Sequence, residues 1–361
     1  MSKAAELANL IGNINAGGGG VNRNVIINGA MNVAQRGTSS TGAGGSDGYL
    51  TLDRWKTTFN SAGRLTMTQD SSAPSGFANS LKLACTTADT SVAAGEYFFL
   101  QQNIEGQNLQ GFAKGTSDAK PFAVSFCVKG NASATYVAEL YDNYNTRQIS
   151  KTFNVTTDWT RIELTYPADT TGALDDDNAK SLNLAIWLHA GTTYTSGTLN
   201  SSAWASNTNA NRAAGISSFY DSTSRTFFIT GVQLEVGQNP TEFEHEPFEK
   251  TLDKCQRYFY RWNSDVGYSF FAPGYCYSAT GVNIMGQMPV PMRAAQTFSS
   301  NGNWRICSDS CINVTNLALD KAQDDTPNIS VTTGGGNTTG NCYGLGDNND
   351  TSAYLQFDSE L

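Results

Sequence analysis

From Asn24 to Val236, apolar side chains recur at every second position in one short segment after another, and almost nowhere at helical spacing. Phe122, Val124, Phe126 and Val128 alternate in this way, as do Leu182, Leu184, Ile186 and Leu188. Successive side chains of a strand point to opposite faces, so a period of two buries one face and leaves the other to a different use. Further strands are expected over residues 65–69, 80–85, 96–104, 135–141, 159–166 and 226–236, separated by turn-forming clusters. Many strands joined by polar loops, with no crossover helices, predict two packed antiparallel sheets in a jelly-roll β-sandwich.

Composition removes several other classes. Hydrophobic residues make up 39% of the 361-residue chain and charged residues 15%, which supplies core material and excludes a disordered chain. The formal net charge is −9, with Lys and Arg scattered singly, so no basic patch exists for pairing with phosphates and nucleic-acid binding is not expected. No stretch approaches the roughly 20 apolar residues that cross a bilayer, and the first residues lack a basic segment followed by an apolar one. No membrane insertion is expected, and synthesis in a cytoplasm is.

The segments that flank the sandwich (residues 22–245) follow a different pattern. Residues 1–21 hold a short predicted helix, with Ser2 as its N-cap and Leu7, Leu10, Ile11 and Ile14 on one face, followed by a joint of Gly17, Gly18, Gly19 and Gly20. A lone helix of this length is marginal in water, so its apolar stripe needs a partner, and the segment reads as an attachment and assembly device. Residues 246–262 predict a linking helix. Phe248, Leu252, Cys255, Phe259 and Trp262 line one side of it, and Lys250, Lys254, Arg257 and Arg261 the other. The strand chemistry of Tyr258, Phe259 and Tyr260 suits an early end to it. Residues 263–361 return to short β runs and predict a smaller C-terminal β domain.

The chemistry-bearing residue types are sparse. The seven Cys are an odd number without a secretion signal, which favours buried free thiols over a disulfide framework. Cys307, Cys311 and Cys342 lack a nearby fourth ligand for a structural zinc site. His189 ends an alternating strand, as a satisfied core histidine would, and His245 stands in an acidic connector with Glu242, Glu244 and Glu246. Asp175, Asp176 and Asp177 are either a solvated turn or oxygen ligands for calcium. No nucleophile elbow, phosphate-cradling loop, dinucleotide fingerprint or helical His pair is present. The expectation is a protein without catalytic residues, cofactor or metal.

One connection stands out. Residues 192–224 are mostly small and polar but carry Tyr194, Trp204, Asn207, Asn209, Asn211 and Arg212, and a long loop inside a compact domain is usually functional or mobile. Aromatic faces with planar polar side chains are what a sugar ring and its hydroxyls require. These residues are therefore the candidate ligand-binding set, although Trp204 could equally pin the loop to the sandwich.

Residues 24–38, NVIINGAMNVAQRGT, the triplet Asp53, Arg54, Trp55, and residues 231–245, GVQLEVGQNPTEFEH, resemble a recurrent pattern in tail-fibre and related virion proteins of marine and freshwater phages. Residues 252–258, 289–294 and 355–357 belong to the same pattern. The resemblance implies a carbohydrate-binding-module-like sandwich in a virion appendage, commonly a homotrimer, and carries over no catalytic residue. The blocks themselves read as scaffold, with Ile26, Ile27 and Val33 as strand core, Asp53 and Arg54 as a local ion pair, and residues 233–236 as the last sandwich strand. A long shaft of repeats is absent, so a short appendage or the end of a multi-protein fibre is expected.

The leading expectation is thus a virion tail-fibre component, attached to other tail proteins through its N-terminus and binding a host-surface polysaccharide without catalysis. A structural virion protein, either capsid decoration or tail adaptor, is the alternative. A glycan depolymerase is the third reading, and would need two carboxylates at roughly 5–9.5 Å in a groove.

Overall fold

The computed structural model describes Lys3 and residues 22–361, so the predicted N-terminal helix with Leu7, Leu10, Ile11 and Ile14 lies outside the described residues. The alternating segments fold as strands. They are β1 (Ser39–Ala43), β2 (Gly48–Tyr49), β3 (Lys56–Asn60), β4 (Arg64–Asp70), β5 (Ser80–Thr87), β6 (Tyr97–Glu105) and β7 (Phe122–Gly130). After these come β8 (Ala134–Asp142), β9 (Arg147–Val155), β10 (Thr160–Tyr166), β11 (Lys180–Ala190), β12 (Ala205–Ser206) and β13 (Thr226–Val236). All pair antiparallel, in a first sheet of order β1-β4-β5-β13-β7-β10 and a second of order β12-β9-β8-β11-β6-β3-β2. The fold is an all-β, jelly-roll sandwich.

The period-two residues fill the space between the sheets. Leu182, Leu184, Ile186 and Leu188 of β11 meet Phe122, Val124, Phe126 and Val128 of β7 in one core, joined by Phe98, Leu100, Trp55, Ile229 and Leu234. Truncating a side chain such as Leu184 to alanine there would cost about 2–5 kcal/mol through lost burial and the cavity left behind.

Residues 24–33 form no strand, and the chain turns over residues 27–30. Ile26 and Val33 are buried and Ile27 half-buried, but Asn28 and Met31 have φ of 58° and 59°, a left-handed conformation that interrupts a regular strand. Asn28 organises the turn. Its amide donates to the carbonyls of Val33 (2.9 Å) and Asp53 (3.1 Å) and accepts from the N–H groups of Asn32 (2.9 Å) and Val33 (3.0 Å), so a buried polar group is fully used. Asp53 accepts from the Gln35 N–H at 3.0 Å and faces Arg36 at 3.7 Å. Asn24 patches β13 where its ladder to β7 shifts register between Thr230 and Gln233, accepting from the Leu234 N–H at 3.0 Å. Gly231, with φ of 63°, sits in that shift, and a Cβ there would lie 2.6 Å from the Phe77 ring.

A buried charge cluster ties β8 and β9 to the loops before β7 and after β10. Lys114 Nζ lies 2.6 Å from Asp142 and 3.1 Å from Asp169, and Arg147 Nε lies 2.8 Å from Asp169.

The chain divides into two compact units between Thr251 and Leu252, a point inside the helix Phe248–Gln256. That helix is shorter than the expected 246–262. It is followed by β14 (Phe259–Asn263), so the aromatic half of the segment is a strand. Phe248 is 51% exposed instead of buried, and Leu252 is half-buried, whereas Cys255 is buried.

The second unit continues with β15 (Phe270–Ser278), β16 (Gly281–Met285), β17 (Thr297–Asn301) and β18 (Trp304–Cys307), followed by β19 (Cys311–Lys321), β20 (Asn328–Thr333), β21 (Cys342–Asp347) and β22 (Tyr354–Asp358). Six of these close a barrel in the order β15-β16-β20-β19-β18-β21, and β14-β22-β17 form a separate sheet. Val282, Ile284, Ile306, Ile329, Val331, Leu345 and Phe357 supply its core. Cys307 and Cys311 form a disulfide, contrary to the expectation of free thiols throughout. The reason is register: the two residues are direct cross-strand partners of the β18–β19 hairpin, with Cα atoms 4.1 Å apart. The thiols of Cys85, Cys255 and Cys276 are buried, that of Cys127 half-buried and that of Cys342 exposed. No helix among the described residues is long and apolar enough to cross a membrane.

Candidate functional site

On the face of the second sheet turned away from the core, the alternate positions carry planar polar and aromatic side chains. Register places Asn103, Asn183, Tyr141 and Gln148 in one cross-strand row. The next row is Lys56, Gln101, Ala185, Glu139 and Ser150, and the one after it Thr58, Phe99, Trp187 and Val137. Side chains in such rows lie close enough to interact directly.

The amides form a chain across the strands. Asn143 Nδ2 donates to Asn183 Oδ1 (2.8 Å), Asn183 Nδ2 to Gln101 Oε1 (3.0 Å), and Gln101 Nε2 to Thr58 Oγ1 (3.0 Å). Asn143 Nδ2 also donates to Tyr141 O (3.2 Å) and so uses both of its N–H groups, whereas Asn183 and Gln101 each donate once along the chain. Beside it, Phe99 packs on Trp187 with ring centres 4.7 Å apart, Tyr97 on Phe99 at 5.7 Å, and Tyr194 edge-on to Tyr97 at 5.4 Å. Tyr97, Phe99, Tyr141 and Tyr194 are half-buried.

Arg212 joins the two groups. Its guanidinium takes Glu139 in a two-point grip (2.8 and 2.7 Å) while lying over the rings of Tyr141 (4.7 Å) and Trp187 (4.9 Å). The Trp187 indole N–H donates to the same carboxylate at 2.8 Å. Burial works against the charge of Arg212, but the attraction of Glu139 outweighs it and holds the guanidinium pKa above its ordinary value. Burial likewise pushes the Tyr141 hydroxyl up, against the pull of Arg212, so it remains a protonated donor and acceptor at neutral pH. Glu139 is fully buried and bonded through both oxygens.

The structure separates the six ligand-binding candidates. Tyr194 and Arg212 lie on this face, because residues 192–216 fold over the sheet: the Ala213 N–H donates to Tyr194 O (3.0 Å), and the Ser150 N–H of β9 to Asn200 O (2.8 Å). Trp204 goes the other way. It is 7% exposed and belongs to the sandwich core, with its indole N–H on Pro167 O (2.9 Å), its ring 5.4 Å from Phe122, and Lys114 Nζ over it at 5.1 Å. Asn207 and Asn209 bond to each other at 3.2 Å, and Asn211 Oδ1 accepts from the Thr198 N–H at 3.1 Å. These three asparagines hold the loop's own shape. Gln101, Asn183, Trp187, Phe99, Tyr97 and Glu139 escaped the sequence reading, although the signal was present: the positions between Leu182, Leu184, Ile186 and Leu188 are Asn183, Ala185 and Trp187.

Among the described residues, three metal-ligating side chains converge at Asp89, Glu96 and His189. Asp175, Asp176 and Asp177 form no such group, nor do Glu242, Glu244, His245 and Glu246; His245 packs against Phe77 and Phe243.

No family model matches the chain, and no curated protein matches it. Solved structures do. The carbohydrate-binding module TmCBM61, determined in complex with beta-1,4-galactotriose, is similar over 59% of this chain and 99% of its own, at 10% identity and a TM-score of 0.32. A family 11 carbohydrate-binding module from Clostridium thermocellum is similar over 58% and 99%, at 11% identity and a TM-score of 0.27. The enzymatically active domain of tailspike protein 4 from bacteriophage CBA120 is similar over 59% of this chain and 21% of its own, at 10% identity and a TM-score of 0.30.

Proposed function

We propose that the chain is a non-catalytic glycan-binding component of a bacteriophage virion appendage, which takes a neutral host-surface polysaccharide on the outward face of its second sheet. The observation that carries this reading is the group of half-buried side chains Tyr97, Phe99, Tyr141, Tyr194 and Asn143, backed from below by buried Trp187, Asn183 and Gln101 of the sheet. Sugar rings offer an apolar face for stacking and hydroxyls that suit planar donors and acceptors. Strands hold such groups more precisely than a free loop would. Glu139, the carboxylate among the amides and rings, is committed to Arg212 and Trp187, which favours binding over hydrolysis. The virion setting, the homotrimer and attachment through residues 1–21 rest on the resemblance of the sequence blocks and on the apolar stripe of Leu7, Leu10, Ile11 and Ile14.

Purified host polysaccharide, passed over immobilised protein with analysis of the eluted chains, tests the reading. Retention of intact polysaccharide is expected, weakened by about 0.5–1.5 kcal/mol in Tyr194→Phe through loss of one hydrogen-bonding hydroxyl on a half-buried ring. Absence of retention would favour the purely structural virion role. Shortened chains in the eluate would make the protein a depolymerase.

A further inference from the structure

Three connections meet at one end of the sandwich. Asp89 follows β5, Glu96 immediately precedes β6, and His189 lies near the end of β11, where the ladder to β6 shifts register between Trp187 and His189. Backbone bonds hold them there: the Asp89 N–H donates to Tyr220 O and the Gly191 N–H to Glu96 O, both at 2.8 Å. One oxygen of each carboxylate and one ring nitrogen of His189 all lie within 4.8 Å of one another.

Two deficits coincide at this point. His189 is fully buried. Its Nδ1 is 2.8 Å from Ser218 Oγ, which also accepts from the Tyr220 N–H, while its Nε2 is enclosed without any hydrogen-bond partner. A proton on Nδ1 directed at Ser218 leaves Nε2 with a bare, sealed lone pair, an arrangement a protein interior rarely tolerates. The second deficit is charge: Asp89 is buried and Glu96 half-buried, and neither makes an ion pair among the described residues. Buried carboxylates without a cation are costly.

We propose that Asp89, Glu96 and His189 bind one divalent transition-metal ion, with Nε2 as the imidazole ligand, and that the ion pins the ends of β5, β6 and β11 together. One imidazole nitrogen and two carboxylate oxygens match Zn²⁺ and its neighbours, whereas Ca²⁺ and Mg²⁺ favour all-oxygen shells. Ser218 fixes the imidazole tautomer from behind, the usual role of an outer partner to a ligating histidine. The site stands independently of the glycan proposal.

The test uses tag-free, full-length Cys342→Ser protein, which removes the exposed thiol, dialysed against EDTA and titrated with ZnCl₂ by calorimetry and in thermal melts. Uptake of one Zn²⁺ per chain with a raised melting midpoint is expected, and CaCl₂ and MgCl₂ should give neither. Glu96→Gln keeps one acceptor, for the Ala93 N–H, while the Ala62 N–H retains Asp89 Oδ2, so the variant should fold, yet lose tenfold or more in Zn²⁺ affinity; His189→Gln should lose the uptake. Absence of Zn²⁺ uptake, unchanged uptake in Glu96→Gln, or sulfur ligands in the X-ray absorption spectrum of the zinc-loaded protein would each overturn the proposal.

Discussion

Trp204 lends the sandwich its ring against Phe122, its indole N–H to Pro167 O, and a face under Lys114. Trp204→Ala should therefore lower the thermal midpoint sharply, by the equivalent of about 3–5 kcal/mol, while polysaccharide retention by the folded fraction stays near that of the parent chain. A normal midpoint in differential scanning calorimetry would place the ring outside the core. Nothing in the surrounding run of Ser, Ala, Asn and Thr distinguishes this ring from Tyr194. A loop without period does not say which of its aromatics turns inward, so the two uses open to Trp204, sugar platform or pin, are separated only by the fold. Arg212 was equally ambiguous until Glu139 and Tyr141, both at alternate positions of β8, were seen to receive it.

At the scale of elements, period two was decisive wherever it was unbroken. The strands β7, β11 and β13 were legible from their inward Phe, Val, Leu and Ile residues. β9 was not, because Lys151 occupies a position between the buried Ile149 and Phe153 and rests against the Tyr166 ring, which interrupts the apolar alternation. Residues 24–33 carried strand chemistry but turn because Asn28 supplies four hydrogen bonds to its own segment and to Asp53. The charge cluster that joins β8 and β9 to neighbouring loops predicts an acid response. Burial works against ionised Asp169, yet hydrogen bonds from Arg147 and Lys114 hold its pKa below the ordinary carboxylate value. A lowered folded pKa adds stability that is fully present above the unfolded value of about 3.9 and is lost as pH falls through the folded one. Melting midpoints measured from pH 6 downwards should accordingly drop below that value, and Asp169→Asn should start lower at neutral pH but fall less steeply. Parallel slopes for the two proteins would assign the acid response to other carboxylates.

For the molecule as a whole, assembly and recognition are assigned to different parts of the chain. If residues 1–21 drive the proposed trimer, a chain beginning at Asn22 should scatter light as a monomer at micromolar concentration and still retain polysaccharide. A trimer that survives this truncation would move assembly into the β units. The closed course of β15-β16-β20-β19-β18-β21 has a consequence for crowding. Where a ladder stops, its unpaired N–H and C=O groups invite strands of other molecules, the first step towards aggregation. The barrel has no such stop. In the sandwich the ladders stop at β1, β10, β12 and β2, of which β2 and β12 are only two residues long. The separate sheet stops at β14 and β17, so proteins packed side by side at high local concentration can adhere through backbone at these edges, and the barrel wall is not one of them.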